Sequence, residues 1–201
     1  PMLDVDHVRV TGTQHVTVAQ VLAASGVHVH DHLLFVDTGA AARRIEQMPW
    51  VQRASVQRDL PGTLKIMIEE YTPAAFVRVA GGVVLVAASG HVIAPAKSAP
   101  PHTVEVRGVR HPPGVGELLA PPDAAGLVGR LPRALGAQVA AVDVSGNGLA
   151  LDLAGGGEIR LGNTSELGAK AASAQAVLAH LAAAPFSYID VSTPDRPVSH
   201  A

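Results

Sequence analysis

Pro49-Trp-Val-Gln-Arg-Ala-Ser-Val-Gln-Arg-Asp-Leu-Pro-Gly-Thr-Leu-Lys-Ile-Met-Ile-Glu-Glu-Tyr-Thr-Pro-Ala-Ala-Phe76 has the pattern of two strands around a turn. Val51 to Arg58 is rich in strand formers. Leu64, Ile66 and Ile68 then alternate with Lys65, Met67 and Glu69, and a period of two means one dry face and one wet face. Between the two runs, Asp59-Leu60-Pro61-Gly62 has turn chemistry, with Pro presetting φ and Gly expected to accept a positive φ. Burying each of the three apolar residues is worth roughly 1.5–3 kcal/mol. A two-stranded ribbon is not stable alone, so its apolar face must be covered.

The cover lies upstream. Val5 to Val10 reads as a short strand. Thr17, with Gln20 three residues on, fits a capping box for a helix carrying Val18, Val21 and Leu22 on one face and ending at Gly26. Asp37 or Thr38 caps a second helix with Ala41, Ile45 and Met48 inward, closed by Pro49. The order is strand, helix, helix, strand, strand, with two helices covering one face of a three-stranded sheet.

These residues carry a resemblance. Val8-Arg-Val-Thr-Gly12, Leu33-Leu34 with Val36-Asp37, Arg44-Ile45 to Val51, Ala54 to Arg58, and Leu60-Pro-Gly-Thr-Leu-Lys-Ile66 resemble the POTRA domain of the bacterial cell-division proteins FtsQ and DivIB. Glu69 to Ala75 is similar to that family's exit from the domain. Further on, Ser89-Gly-His-Val-Ile93, Arg160-Leu-Gly162, Leu167 to Lys170 and Tyr188 to Ser192 resemble its second, β domain. The fold class expected is α+β: a POTRA domain (β-α-α-β-β) over 1–71, then a mostly antiparallel β domain with one or two helices over 72–201.

Residue patterning in the second part gives a hairpin from Ala75–Val79 and Val83–Val86, and a Pro/Ala loop from Ala94 to Pro101. A helix is expected over Ala124–Leu135, weakened in its last turn by Pro132, and a hairpin around Ser145-Gly146-Asn147-Gly148. A last helix starts at Gly162-Asn163, capped by Asn163 or Thr164, with Leu167, Ala171, Ala174, Leu178 and Leu181 inward.

Composition narrows the function classes. The chain has 201 residues, 48% of them apolar but only 3% aromatic, so Val, Leu, Ile and Ala build the core. A net charge of −2 with scattered Lys and Arg gives no signal for a nucleic-acid partner. The absence of cysteine excludes disulfides and thiolate metal sites. Leu167 to Phe186 is apolar but interrupted by Lys170, Ser173, Gln175 and His180, so it is amphipathic and no membrane span. The chain opens on Pro1, which reads as an internal start.

Three features invite a chemical reading. His28, His30 and His32, on an extended segment, would project from one side as zinc ligands; the alternative is a wet loop. Glu69 and Glu70 are neighbours on a strand and so point to opposite faces, unable to flank one bond. Gly155-Gly156-Gly157 lacks the following helix that a phosphate loop needs. No catalytic constellation, cofactor site or metal site is assigned.

The end of the chain is the better candidate. Tyr188 to Ser192 is followed by Pro194 and Pro197, and proline is confined to sheet edges, so this strand belongs at or near an edge. An edge recruits partner strands, or is blunted by those prolines; the residues alone leave both readings open. The resemblance decides between them. It implies a non-catalytic divisome scaffold whose C-terminal strand takes an added strand from an FtsB/DivIC-like bitopic partner, with an FtsL-like protein in the same assembly. By position, the partner-binding residues are Tyr188, Ile189, Asp190, Val191, Ser192, Thr193, Arg196 and Val198. Within the POTRA domain, Gln52, Arg53, Ser55 and Gln57 mark a candidate interaction strand for other divisome proteins. The resemblance also implies a single membrane helix upstream, placing this region on the extracytoplasmic side at the division site. The competing readings are a POTRA-bearing chaperone or secretion module that captures client polypeptides, and a cell-wall hydrolase.

Overall fold

A computed structural model describes residues 4–111, 113–181 and 184–200. The chain divides into two units, Pro1–Thr72 and Pro73–Ala201.

In the first unit the order is β1 (His7–Thr11), α1 (Val18–Ser25), α2 (Thr38–Ile45), β2 (Val51–Asp59) and β3 (Thr63–Glu70). The sheet order is β1-β3-β2, with β1 parallel and β2 antiparallel to β3. α1 starts as its sequence dictates: the Thr17 hydroxyl accepts from the Gln20 N–H, the Gln20 side chain accepts from the Thr17 N–H, and Gly26 closes the helix at φ 65°. Val21 faces the core, whereas Val18 is largely exposed. Asp37 caps α2 by accepting from the Ala40 N–H at 2.9 Å. Leu64, Ile66 and Ile68 of β3 are buried against Val21, Leu33, Ala41 and Ile45.

One turn residue works differently from expectation. Gly62 does not take a positive φ. A Cβ there would meet the Asp6 carboxylate and lie 3.1 Å from the Asp4 carbonyl oxygen, while the Gly62 carbonyl accepts from the Asp6 and His7 N–H groups. Glycine here permits close approach of the first strand rather than an unusual dihedral.

The second unit is built on one nine-stranded sheet. Its strands are β4 (Pro73–Val79), β5 (Gly82–Ala87), β6 (Val92–Ala96), β7 (Val104–Arg107), β8 (Val139–Ser145), β9 (Gly148–Leu153), β10 (Glu158–Gly162), β11 (Tyr188–Asp190) and β12 (Val198–His200). The spatial order is β12-β11-β10-β9-β8-β7-β4-β5-β6. Five neighbouring pairs are antiparallel and three parallel, so the sheet is mixed with an antiparallel majority. Among the described residues, three α-helices complete the unit: α3 (Asp123–Gly126), α4 (Arg133–Gly136) and α5 (Leu167–Leu181). They pack over a core that includes Val77, Val106, Val142, Leu151, Ile159 and Ile189.

Three local expectations are corrected. The segment 94–96 is strand, not loop: β6 runs through Pro95 because it is the last strand of the sheet, where a missing N–H costs no ladder bond. The stretch 124–135 is not one helix. Pro132 forces Leu131 into extended backbone, ψ 156°, so the chain breaks into α3, a 3-10 turn over Val128–Arg130 and α4. Leu127, Leu131 and Leu135 are nonetheless buried. The last helix starts at Leu167, since Asn163 folds its side-chain oxygen onto the Ser165 N–H instead of capping a helix.

Candidate partner-binding edge

The large sheet ends in β6 on one side and, on the other, in β12 and not in β11. Tyr188 to Asp190 is paired on one side with β10, in parallel, and on the other with β12, antiparallel. β11 is therefore second from the edge. The terminal strand is Val198–His200, whose three residues are all exposed. Sequence reasoning singled out Val198 but missed Ser199 and His200. Three residues after Pro197 carry no periodicity, and their pairing with β11 is visible only once the Thr193–Pro197 turn has reversed the chain.

The side chains of β11 divide by alternation. Ile189 and the following Val191 are fully buried, so they anchor the strand in the core and offer no side chain to a partner. Tyr188 and Asp190 point to the opposite face. Asp190 Oδ1 accepts from the Ser192 N–H at 2.9 Å and from its hydroxyl at 2.6 Å, which turns the chain out of the strand. The Arg196 N–H donates to the Thr193 carbonyl at 3.1 Å, closing the turn back to β12. Ser192, Thr193 and Arg196 are in or beside this turn; Ser192 and Arg196 are exposed.

On the face away from the helices, a polar ladder crosses the sheet. Arg78 bonds Glu105 at 2.7 Å, and Arg107 bridges Glu105 at 3.1 Å and Asp152 at 2.9 Å. Burial pushes the Glu105 carboxyl up, but the hydrogen bonds from Arg107 and Arg78 outweigh it and hold it below the usual range. Arg160 bonds Glu158 at 2.7 Å and sets its guanidinium carbon 3.8 Å from the Tyr188 ring centroid. Tyr188 in turn stacks with His200. The ladder thus ends in an arginine–tyrosine–histidine row that reaches the edge strand. Beside it, a hollow of about 540 Å³ is lined by Asp143, Glu158, Arg160 and Asp190. Burial, followed by the charges of Asp152 and Glu158, pushes the Asp143 carboxyl up.

Behind the row, Lys170 is 2% exposed. Its Nζ donates to the carbonyls of Leu161 at 2.9 Å and Asn163 at 3.1 Å, and to Asn163 Oδ1 at 2.9 Å. All three of its donors are used, which lets a buried ammonium tie α5 to the end of β10.

The chain matches two family models. Residues 3–71 match "POTRA domain, FtsQ-type", and residues 75–192 match "Cell division protein FtsQ/DivIB, C-terminal". The chain belongs to the FtsQ/DivIB family of cell-division proteins. Among similar proteins, the cell division protein FtsQ of Streptomyces coelicolor is 30% identical over 205 residues, covering 96% of this chain and 76% of the relative. FtsQ of Mycobacteroides abscessus is 32% identical over 207 residues, 98% of this chain and 61% of the relative. FtsQ of Corynebacterium glutamicum is 36% identical over 108 residues, 54% of this chain, and the match spans about half of that relative, 48%.

In the FtsQ-type POTRA unit, Gln52, Arg53, Ser55 and Gln57 lie on β2, an outer strand of the three-stranded sheet. The outward N–H of Ala54 is taken: it donates to the Glu46 carboxylate at 3.0 Å. The edge between these four side chains is therefore partly stoppered by the end of α2.

The histidines do not converge. His30 has φ 74° and the Asp31 N–H bonds the His28 carbonyl, so the segment turns instead of extending. The His32 ring lies against Phe35 instead. Among the described residues no three His, Asp or Glu side chains gather as a metal site. Glu69 is exposed, while Glu70 accepts from the N–H groups of Gln14, His15 and Val16, a structural role. No helix among the described residues is long and apolar enough to cross a membrane.

Proposed function

We propose that this chain is the extracytoplasmic part of a divisome scaffold that recruits a bitopic FtsB/DivIC-like partner by strand addition, with an FtsL-like protein in the same complex. Residues 1–71 act as the POTRA domain and 72–201 as the partner-binding β domain. The observation that carries the reading is the exposed terminal strand Val198–His200, which forms one of the two edges of the nine-stranded sheet. Its outer N–H and C=O groups offer a template for main-chain pairing. Tyr188, Asp190, Ser192, Thr193, Arg196 and Val198 surround that template and select the partner's side chains. Ile189 and Val191 hold it in place from the core.

The role is non-catalytic: recruitment couples septum assembly to peptidoglycan synthesis carried out by other proteins. A membrane helix upstream of this region tethers it at the division site. The opposite edge of the same sheet supports the choice of β12, because β6 carries Pro95 and cannot supply an uninterrupted ladder.

The test is isothermal titration with the extracytoplasmic segment of the partner and with the same peptide N-methylated on alternate amides. Binding should survive methylation in one register and vanish in the other, because an antiparallel or parallel strand pairs only every second residue on one side. Equal binding of both methylated peptides would show that main-chain pairing is not involved.

A further inference from the structure

The turn Ser145-Gly146-Asn147-Gly148 joins β8 to β9 and takes no part in strand addition. Its last two residues carry a chemistry of their own. When glycine follows asparagine, the glycine main-chain nitrogen reaches the asparagine side-chain carbon with the least hindrance. Asn147 is exposed, and among the described residues no hydrogen bond holds its side-chain amide; its main-chain N–H lies 3.3 Å from Ser145 Oγ.

The chain contains its own comparison, a second asparagine at Asn163. There Oδ1 accepts from the Ser165 N–H at 3.1 Å, from the Ser165 hydroxyl and from Lys170 Nζ at 2.9 Å. Three donors fix that amide, and the β-branched Thr164 crowds the nitrogen that would attack it.

The fold keeps glycine after Asn147. Gly148 has φ 106°, and a Cβ on it would run into the Gly162 carbonyl at the end of β10. The unhindered neighbour therefore stays in place. Ser145 and Gly148 form the last pair of the β8–β9 ladder, which opens more easily than the pairs behind it and frees the Gly148 nitrogen.

We propose that Asn147 is a site of spontaneous deamidation in the folded chain, with water as its co-reactant. The Gly148 nitrogen bonds Asn147 Cγ, the Cγ–Nδ2 bond breaks, and ammonia leaves with the Gly148 N–H proton. Water then opens the five-membered imide. Breaking the bond from nitrogen to Cγ gives aspartate. Breaking the bond from nitrogen to the main-chain carbonyl carbon gives isoaspartate, whose backbone is one methylene longer. No oxidant or reductant enters.

Either product places a carboxylate where Asn147 borders the hollow lined by Asp143, Glu158 and Asp190, so like charge meets like charge. Isoaspartate also shifts Gly148 away from Gly162 and loosens the pairing of β9 with β10. Arg160, which lies over the Tyr188 ring, is on β10. An aged chain thus differs from a fresh one beside the candidate edge.

The test stores the folded chain, and the same chain unfolded in guanidinium chloride, in mildly alkaline buffer. Tryptic peptides 134–160 and 161–170 hold one asparagine each. Mass spectrometry with electron-transfer fragmentation separates aspartate from isoaspartate. In the folded chain, 134–160 should gain the mass of amide-to-acid conversion about tenfold or more faster than 161–170, because only its nucleophile is free to approach. Isoaspartate should be among the products. Asn147→Gln, whose ring would need six members, should leave 134–160 unchanged. Conversion of Asn147 in the unfolded chain alone, equal rates for the two peptides, or aspartate without isoaspartate would each overturn the proposal.

Discussion

The Tyr188 ring lies parallel to the His200 ring, 5.6 Å between centroids and 8° between planes. This pair joins the second strand of the sheet to the last, adding to the main-chain pairing of three residues and the bond from the Ser187 N–H to the His200 carbonyl. Tyr188→Ala should therefore loosen the edge selectively. Amide exchange at Val198–His200 should accelerate, while β8 and β9 stay protected. The global cost should be small, about 1 kcal/mol, typical of one exposed aromatic pair. Hydrogen-exchange mass spectrometry reads both effects.

Lys170 should be much less tolerant. Lys170→Met keeps the length and removes the charge, but leaves the carbonyls of Leu161 and Asn163 without their donor. Leu161 is buried, and its carbonyl so stranded costs about 1–3 kcal/mol, whereas Asn163 is exposed and its carbonyl can bond water. Urea unfolding should show the second unit destabilised by roughly 1–3 kcal/mol, with the first unit's transition unchanged.

Acid should loosen the first unit through Glu70. Burial raises its pKa, but the N–H groups of Gln14 and Val16, the His15 side chain and the His15 N–H outweigh this and leave it below the usual 4.5. A carboxyl with a depressed folded pKa stabilises the fold fully above its unfolded value. That contribution is lost as pH falls from 4.5 through the folded value. Glu105, also depressed, gives the same sign in the second unit. Thermal melts between pH 7 and pH 3, on the parent and on Glu70→Gln, should show a shallower acid loss in the variant's first transition.

Glu46 should act as a stopper on the β2 edge. Glu46→Ala frees the outward Ala54 N–H. Amide exchange at Ala54 should rise, and the chain's tendency to self-associate through β2 should increase in sedimentation velocity, as expected of an unguarded edge. Unchanged exchange at Ala54 would show that the carboxylate does not guard it.

Local rules made much of this architecture legible. Thr17 and Gln20 are three residues apart, so their capping box needs nothing beyond its own helix. Leu64, Ile66 and Ile68 report their burial by alternation alone. Pairing across the chain was less visible. β7 sits between β4 and β8, so a strand of four residues is placed by partners some thirty residues away on either side. Proline misled in two directions. Pro132 is stronger than a weakening of the last turn, because it also dictates the conformation of Leu131. Pro95 is weaker than a loop signal, because it sits on an edge. At the candidate site, Tyr188 and Val198 stood out by resemblance. Which strand is terminal depends on the Thr193–Pro197 turn, where Pro194 and Asp195 signal a reversal but nothing in the sequence says that the three residues after it pair back onto β11.

Cross-strand NOEs report strand addition at β12 directly. The labelled chain would be mixed with the unlabelled extracytoplasmic segment of its FtsB/DivIC-like partner. Intermolecular amide and Hα NOEs to Val198–His200 at ladder spacing are expected, with shift changes at Tyr188. Tight binding whose NOEs map to β2, with Val198–His200 unperturbed, would contradict strand addition there.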